Sequence, residues 1–195
     1  MELGARRHWI FDMDGTLTCS VHDFDAIRGR LGLPSGTPLL EAVAAAPPAE
    51  AKRLREGITA WEWEMAERAR AGPGVSALLT HLAAAGYRLG VLTRNRRDIA
   101  LRTLAVTSLG HHFSADDVLG RGDAAPKPAP DGIQRLLERW RAAPSDAVMI
   151  GDYLYDLQAG RAAGVATVYI DRAHTGRWSA WADRTVRRLD ALLPG

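Results

Sequence analysis

Cysteine is almost missing from this 195-residue chain, where Cys19 stands alone. A single thiol makes no internal disulfide, so a disulfide-stapled secreted fold is excluded and a reducing compartment is expected. Long apolar runs are missing as well. No stretch approaches the roughly 20 residues that cross a bilayer, and the opening MELGARRHW has no apolar signal-peptide core. A strong charge of either sign is also absent. Lys+Arg number 25 against 23 Asp+Glu, for a net charge of +2, so the pI of 9.0 reflects near balance rather than a basic surface. That gives no ground for a nucleic-acid partner. Repeats and low-complexity tracts are lacking beyond a richness in Ala and Arg. The expectation is a cytoplasmic globular protein, a monomer by default, with neither membrane nor nucleic acid among its partners. With 47% hydrophobic and 25% charged residues, the chain has material for one core, or a core with a small insert.

Short apolar strand candidates recur at His8–Phe11, Arg88–Leu92, Asp117–Leu119, Ala147–Ile150 and Ala166–Ile170. Between the later ones lie helix-period segments, Val75–Ala85, Arg97–Leu109, Asp131–Arg141 and Leu157–Ala163. Such alternation predicts a parallel sheet covered on both faces, with ligands at the carboxyl ends of its strands. Residues 20–72 break the pattern. Asp23–Leu31 reads as a helix stopped by Gly32 and Pro34, and Pro48 opens a helical run to Ala71 that Gly72–Gly74 closes. Ile58, Trp61, Met65 and Ala69 share one face of that run, the pattern of a packing stripe, while Trp63 lies off it with Glu67 and Arg70.

Four polar clusters follow directly after apolar strands. In Asp12-Met13-Asp14-Gly15-Thr16, two carboxylates stand one residue apart, and each raises the cost of ionising the other. A calcium loop is excluded by Thr16 and Leu17, whereas a plain Asp-Gly turn stays open. In Thr93-Arg94-Asn95, the hydroxyl and the turn's N–H groups suit an anion, or Thr93 simply caps the next helix. Lys127 stands between Pro126 and Pro128, presented from a stiff loop or merely exposed on the surface. A loop lysine carries no core packing, so its removal is expected to leave thermal stability almost unchanged. In Gly151-Asp152-Tyr153-Leu154-Tyr155-Asp156, a strand again ends in a carboxylate, and Asp156 suits the first turn of the following helix. Gly120–Ala125 imitates a dinucleotide fingerprint, but the prolines that follow forbid its helix.

Taken together, the clusters converge on one sheet edge. Asp12, Asp14 and Asp152 suit one Mg2+, which offsets their repulsion and keeps Asp12 ionised as a nucleophile must be. Lys127 and Thr93 complete a donor-rich pocket for a phosphoryl group.

These motifs, in this order between about Ile10 and Ile170, resemble the haloacid dehalogenase superfamily, specifically its phosphatases of the phosphoglycolate phosphatase-like type. The resemblance implies an α/β three-layer, Rossmann-like core over residues 1–19 and 73–195, with a small inserted helical cap over 20–72. It implies a Mg2+-dependent phosphomonoester hydrolase acting on a small phosphorylated metabolite. Asp12 is then the nucleophile that forms an aspartyl-phosphate, and Asp14 the acid and base for leaving group and water. Thr93 and Lys127 bind the phosphoryl group, with Arg94 or Asn95 touching substrate. Mg2+ is held by Asp12, Asp152 and the main-chain carbonyl of Asp14, and Asp156 is a supporting acid. Two other readings stand beside it: a phosphomutase on the same scaffold, for which His22 is a candidate proton carrier, and a non-catalytic phosphate-binding regulator. His111-His112 and the loop Asp171–Trp178 are within reach of the site rim and receive no role.

Overall fold

The computed structural model describes residues 5–19 and 23–194; His22 and the expected start of the insert, 20–22, lie outside the described residues. A six-stranded sheet forms the centre, with β1 (His8–Phe11), β2 (Arg88–Arg96), β3 (Val118–Arg121), β4 (Ala147–Gly151), β5 (Ala166–Ile170) and β6 (Arg184–Val186). Their order is β3-β2-β1-β4-β5-β6, and every pairing is parallel. The chain winds one way from β1 to β3 and the other way from β4 to β6. The reversal falls between β1 and β4, the crevice where open parallel sheets bind ligands.

Seven α-helices complete the described chain: α1 (Phe24–Leu31), α2 (Leu39–Ala45), α3 (Pro48–Arg68), α4 (Val75–Ala84), α5 (Arg97–Val106), α6 (Asp131–Trp140) and α7 (Leu154–Ala162). Strands β1 to β5 are buried on both faces over most of their length, as a parallel sheet requires. Trp9, Phe11, Val91, Val148 and Ile150 face one layer with Leu78, Leu82 and Leu104 of α4 and α5. Ile10, Leu92 and Met149 face the other, with Ile133, Leu136 and Trp140 of α6. This is the expected three-layer α/β arrangement.

Helices α1 to α3 bury their own cluster of Ile27, Leu31, Leu54, Ile58, Trp61 and Met65. The packing stripe on α3 is thus real, except that Ala69 lies just past the helix end. Asp23 caps α1 through Ala26 N–H at 2.9 Å, and Gly32 ends it in a left-handed conformation, the stop expected there.

Three elements depart from expectation. β2 runs past Leu92 to Arg96, with a register shift against β3, so Thr93–Asn95 is irregular strand rather than turn. Helix α2 has no fully buried residue, and its Leu39 and Val43, half-buried against the helical cluster, make a stripe too short to read. β6 is three residues long with one buried, too little for a hydrophobic run.

Candidate active site

Strand register sets the site. Phe11 pairs with Val91 on one side and Ile150 on the other, so Asp12 stands level with Leu92 and Gly151. Thr93 and Asp152 follow one residue later at the same carboxyl edge. Gly15 turns the loop after β1 with φ +84°, and a Cβ there would stand 2.0 Å from Asp152 Oδ2. Only glycine lets the loop lie against that carboxylate. Arg172, beyond β5, pins the same loop by donating to Gly15 O at 3.0 Å and Thr16 O at 2.7 Å.

Lys127 lies at the bottom. Its Nζ donates to Asp12 Oδ1 at 2.5 Å and Leu92 O at 2.7 Å, and pairs with Asp156 Oδ1 at 2.6 Å. With 4% of its surface exposed it is no surface lysine, and the expectation that its loss spares stability is corrected. Removing it strands two buried carboxylates, a change among the costliest a core can suffer. Asp156 accepts from Tyr153 N–H at 3.1 Å through its other oxygen, so it closes the first turn of α7 and orients Lys127 at once.

Thr93 does not cap α5. Its hydroxyl accepts from Asn95 N–H at 3.1 Å, and the cap position belongs to Arg96, which makes no side-chain cap. Asn95 Nδ2 donates to Asp14 Oδ2 at 2.6 Å. Arg94 turns the other way, to Glu41 of α2 at 2.8 Å and over the Tyr155 ring at 5.4 Å. Asp12, Asp14, Thr93, Arg94, Asn95, Lys127 and Asp152 all line one cavity of about 390 Å³. Phe24, Trp61 and Glu62 line its helical side.

A family model described as haloacid dehalogenase-like hydrolase matches residues 31–170. The chain belongs to the haloacid dehalogenase-like hydrolase family. A haloacid dehalogenase-like hydrolase domain-containing protein of Arabidopsis thaliana is 30% identical over 87% of this chain and 71% of its own length. A phosphoglycolate phosphatase of Cupriavidus necator is 28% identical over 94% of this chain and 90% of its own. A solved haloacid dehalogenase-like hydrolase from Bacteroides fragilis superposes with TM-score 0.80 at 23% identity, covering 96% of this chain and 100% of that one.

In this hydrolase the carboxylates outnumber their compensation. Oxygens of Asp12, Asp152 and Asp156 lie within 4.8 Å of one another. Burial raises the Asp12 pKa well above the usual carboxylate range, Lys127 opposes that, and Asp156, Asp152 and Asp14 add to it. Burial, then Asp156, pushes Asp152 up to about 7. For Lys127 burial acts downward, yet Asp12 and Asp156 outweigh it and hold the ammonium charged. One ammonium therefore serves three carboxylates. An all-oxygen, under-compensated set fits a hard divalent cation. The Asp14 carboxylate stands apart from this trio, engaged with Asn95, which leaves its main chain for the metal role the resemblance implied.

Sequence reasoning missed Arg172, whose contacts lie 157 positions away, and Glu62, whose partner Arg121 is 59 away. Glu62 on α3 is 6% exposed and receives Arg121 Nη2 on Oε1. Burial pushes it up to about 7 despite Arg121, with Asp14 adding to the rise. The 171–178 loop does reach the rim, through the edge-to-face contact of Trp178 on Tyr153 at 5.9 Å. His111 and His112 lie with tilted rings against each other in a short turn and do not line the cavity. Among the described residues no helix is long and apolar enough to cross a membrane.

Proposed function

We propose that this hydrolase cleaves small phosphomonoesters through an aspartyl-phosphate on Asp12. The observation that carries the reading is Lys127 clamped between Asp12 and Asp156, beside Asp152 and an Asn95-held Asp14, in one cavity. The Asp12 carboxylate attacks phosphorus, and the P–O bond to the alcohol breaks. Asp14, oriented by Asn95, gives its proton to the departing alkoxide. It then takes a proton from the water that attacks the aspartyl-phosphate, releasing inorganic phosphate and restoring Asp12. Lys127 and Thr93 hold phosphoryl oxygens as charge builds there. Asp12, Asp152 and the Asp14 carbonyl would hold Mg2+, which would supply the positive charge that the carboxylates and a phosphate dianion need. Segment 20–72, with α1 to α3, acts as a cap over the core of 1–19 and 73–195, excluding water and bulky esters.

Turnover of p-nitrophenyl phosphate tests this. Chelation should abolish it, Mg2+ should restore it, and Asp152→Asn should raise the Mg2+ concentration required. Asp12→Asn should show no turnover, and no phosphate adduct by intact mass. Full activity in excess chelator, or an active Asp12→Asn enzyme, would overturn the reading.

A further inference from the structure

The charges lining the cavity are lopsided. Asp12, Asp14, Glu41, Glu62, Asp152 and Asp156 stand against Arg28, Arg94 and Lys127. Each of these cations already has a carboxylate. Lys127 holds Asp12 and Asp156, Arg94 holds Glu41 at 2.8 Å, and Arg28 holds Asp25 at 2.8 Å with Thr37 O at 2.9 Å. Arg94 keeps one donor in hand, its Nε, which is buried without a hydrogen-bond partner, against an excess of carboxylates in the lining.

One acceptor is left over beside it. Arg121 occupies Glu62 Oε1, while Glu62 Oε2 is buried with no hydrogen-bond partner. A buried carboxylate oxygen without a donor is costly, and a charge-assisted bond from a ligand would relieve it. Glu62 lines the same cavity as Asp14, the proposed proton donor, and feels its carboxylate. Aromatic rings complete this region: Phe24 and Trp61 on the helical side, Tyr153 and Tyr155 beyond β4. Apolar ring faces with a few fixed acceptors match an alcohol whose C–H groups pack and whose hydroxyls donate.

We infer that Glu62 is the specificity-determining residue, accepting a hydrogen bond through Oε2 from a phosphomonoester whose alcohol half carries further hydroxyl or ammonium donors. The inference rests on the phosphomonoesterase reading above. It separates this chain from its phosphoglycolate phosphatase relative. The carboxylate of phosphoglycolate would enter a lining that holds Asp12, Asp14, Glu41, Glu62, Asp152 and Asp156, where each cation already has a carboxylate partner.

The test compares kcat/KM of wild type, Glu62→Ala and Glu62→Gln on glycerol, ribitol and sorbitol phosphates and on phosphoglycolate. The donor-free p-nitrophenyl phosphate serves as internal reference. Wild type should favour at least one polyol phosphate over phosphoglycolate by about tenfold or more, the scale of one hydrogen bond to a charged group. Glu62→Ala should lower the polyol-to-aryl ratio by roughly 10–100-fold. In the nearly isosteric Glu62→Gln, Arg121 keeps the amide oxygen and turns the NH2 toward the ligand, so the polyol-to-phosphoglycolate ratio should fall. A wild type that prefers phosphoglycolate to every polyol phosphate would overturn the inference. So would ratios that stay fixed while all rates fall together, the signature of a purely structural Glu62. Absence of any Asp12-dependent aryl turnover would instead sink the phosphatase reading beneath it.

Discussion

On the sheet side of the cavity the buried material is charge: Asp12, Lys127 and Asp156 are tied to one another inside the protein. On the helical side it is apolar, with Ile58, Trp61 and Met65 in a small cluster of their own, and charge works at the seams. Arg94–Glu41, Arg121–Glu62 and Arg102–Glu67 join α2 and α3 to the core. The sheet side is thus a coupled unit in which one change disturbs every neighbour. The helical side packs a cluster of its own and is fastened by ion pairs, two of them largely exposed and one, Arg121–Glu62, buried beside the cavity.

The largest expected effect probes the division of labour within the coupled unit. General acid catalysis is worth roughly 10²–10⁴ in rate and matters most for a poor leaving group. Asp14→Asn should lose about that much on an alkyl phosphate. On the aryl ester, whose phenolate leaves unaided, it should still form the phosphoenzyme but hydrolyse it slowly. Rapid-quench kinetics would reveal the burst. Equal, undiminished rates on both esters would reduce Asp14 to a loop residue.

Next comes Lys127→Ala, which separates coupling from mere proximity. Its rate should fall by roughly 10²–10³, the loss typical of one charge-stabilising contact. Its stability should fall too, by about 3–5 kcal/mol, because both partners are left buried and unpaired. That penalty should shrink as pH drops and the stranded carboxylates protonate, which thermal melts across pH would show. A melting temperature equal to wild type would mean the sheet side is not a coupled unit.

Glu62 sharpens the comparison at the seam. Its folded pKa of about 7 exceeds the ordinary 4.5, so between those values the folded state binds the extra proton. Stability from this residue is therefore full below about 4.5, declines as pH rises, and is lost above about 7. Glu62→Gln removes the buried charge. It should melt higher than wild type at pH 8, by roughly 1–3 kcal/mol in stability, and nearly equal to it at pH 4. A pH-independent difference would contradict the assignment.

The smallest effect belongs to the exposed tie. Arg102 grips Glu67 at 2.7 and 2.9 Å, with both side chains about half exposed. Arg102→Ala should cost less than about 1 kcal/mol, measured by denaturant unfolding. A larger loss would make the helical side more tightly fastened than its surface ties allow.

Legibility in the sequence followed the range of the interaction. Asp12, Asp14 and Asp152 were visible because a strand's apolar run and the polar residues after it are neighbours in the chain. Lys127 was visible as a residue, but its Pro-flanked loop looks the same whether it lies on the surface or folds inward. Asn95 and Arg94 were indistinguishable until the irregular end of β2 turned one toward Asp14 and the other toward Glu41. Helix α2 and strand β6 bury too little to leave a periodic trace.

What the sequence determined by itself was the alternation of strands and helices, the interruption between β1 and β2, and the set of groups at the strand ends. Local periodicity and turn chemistry suffice for those, because they act over a few residues. Only the tertiary structure decided who meets whom: Lys127 with Asp12 across 115 positions, Arg172 on the loop of Gly15 across 157, and Arg121 on Glu62 across 59. A charged side chain's partner depends on which segments the sheet order brings together, and no local pattern carries that order. The same packing left Glu62 Oε2 buried without a partner.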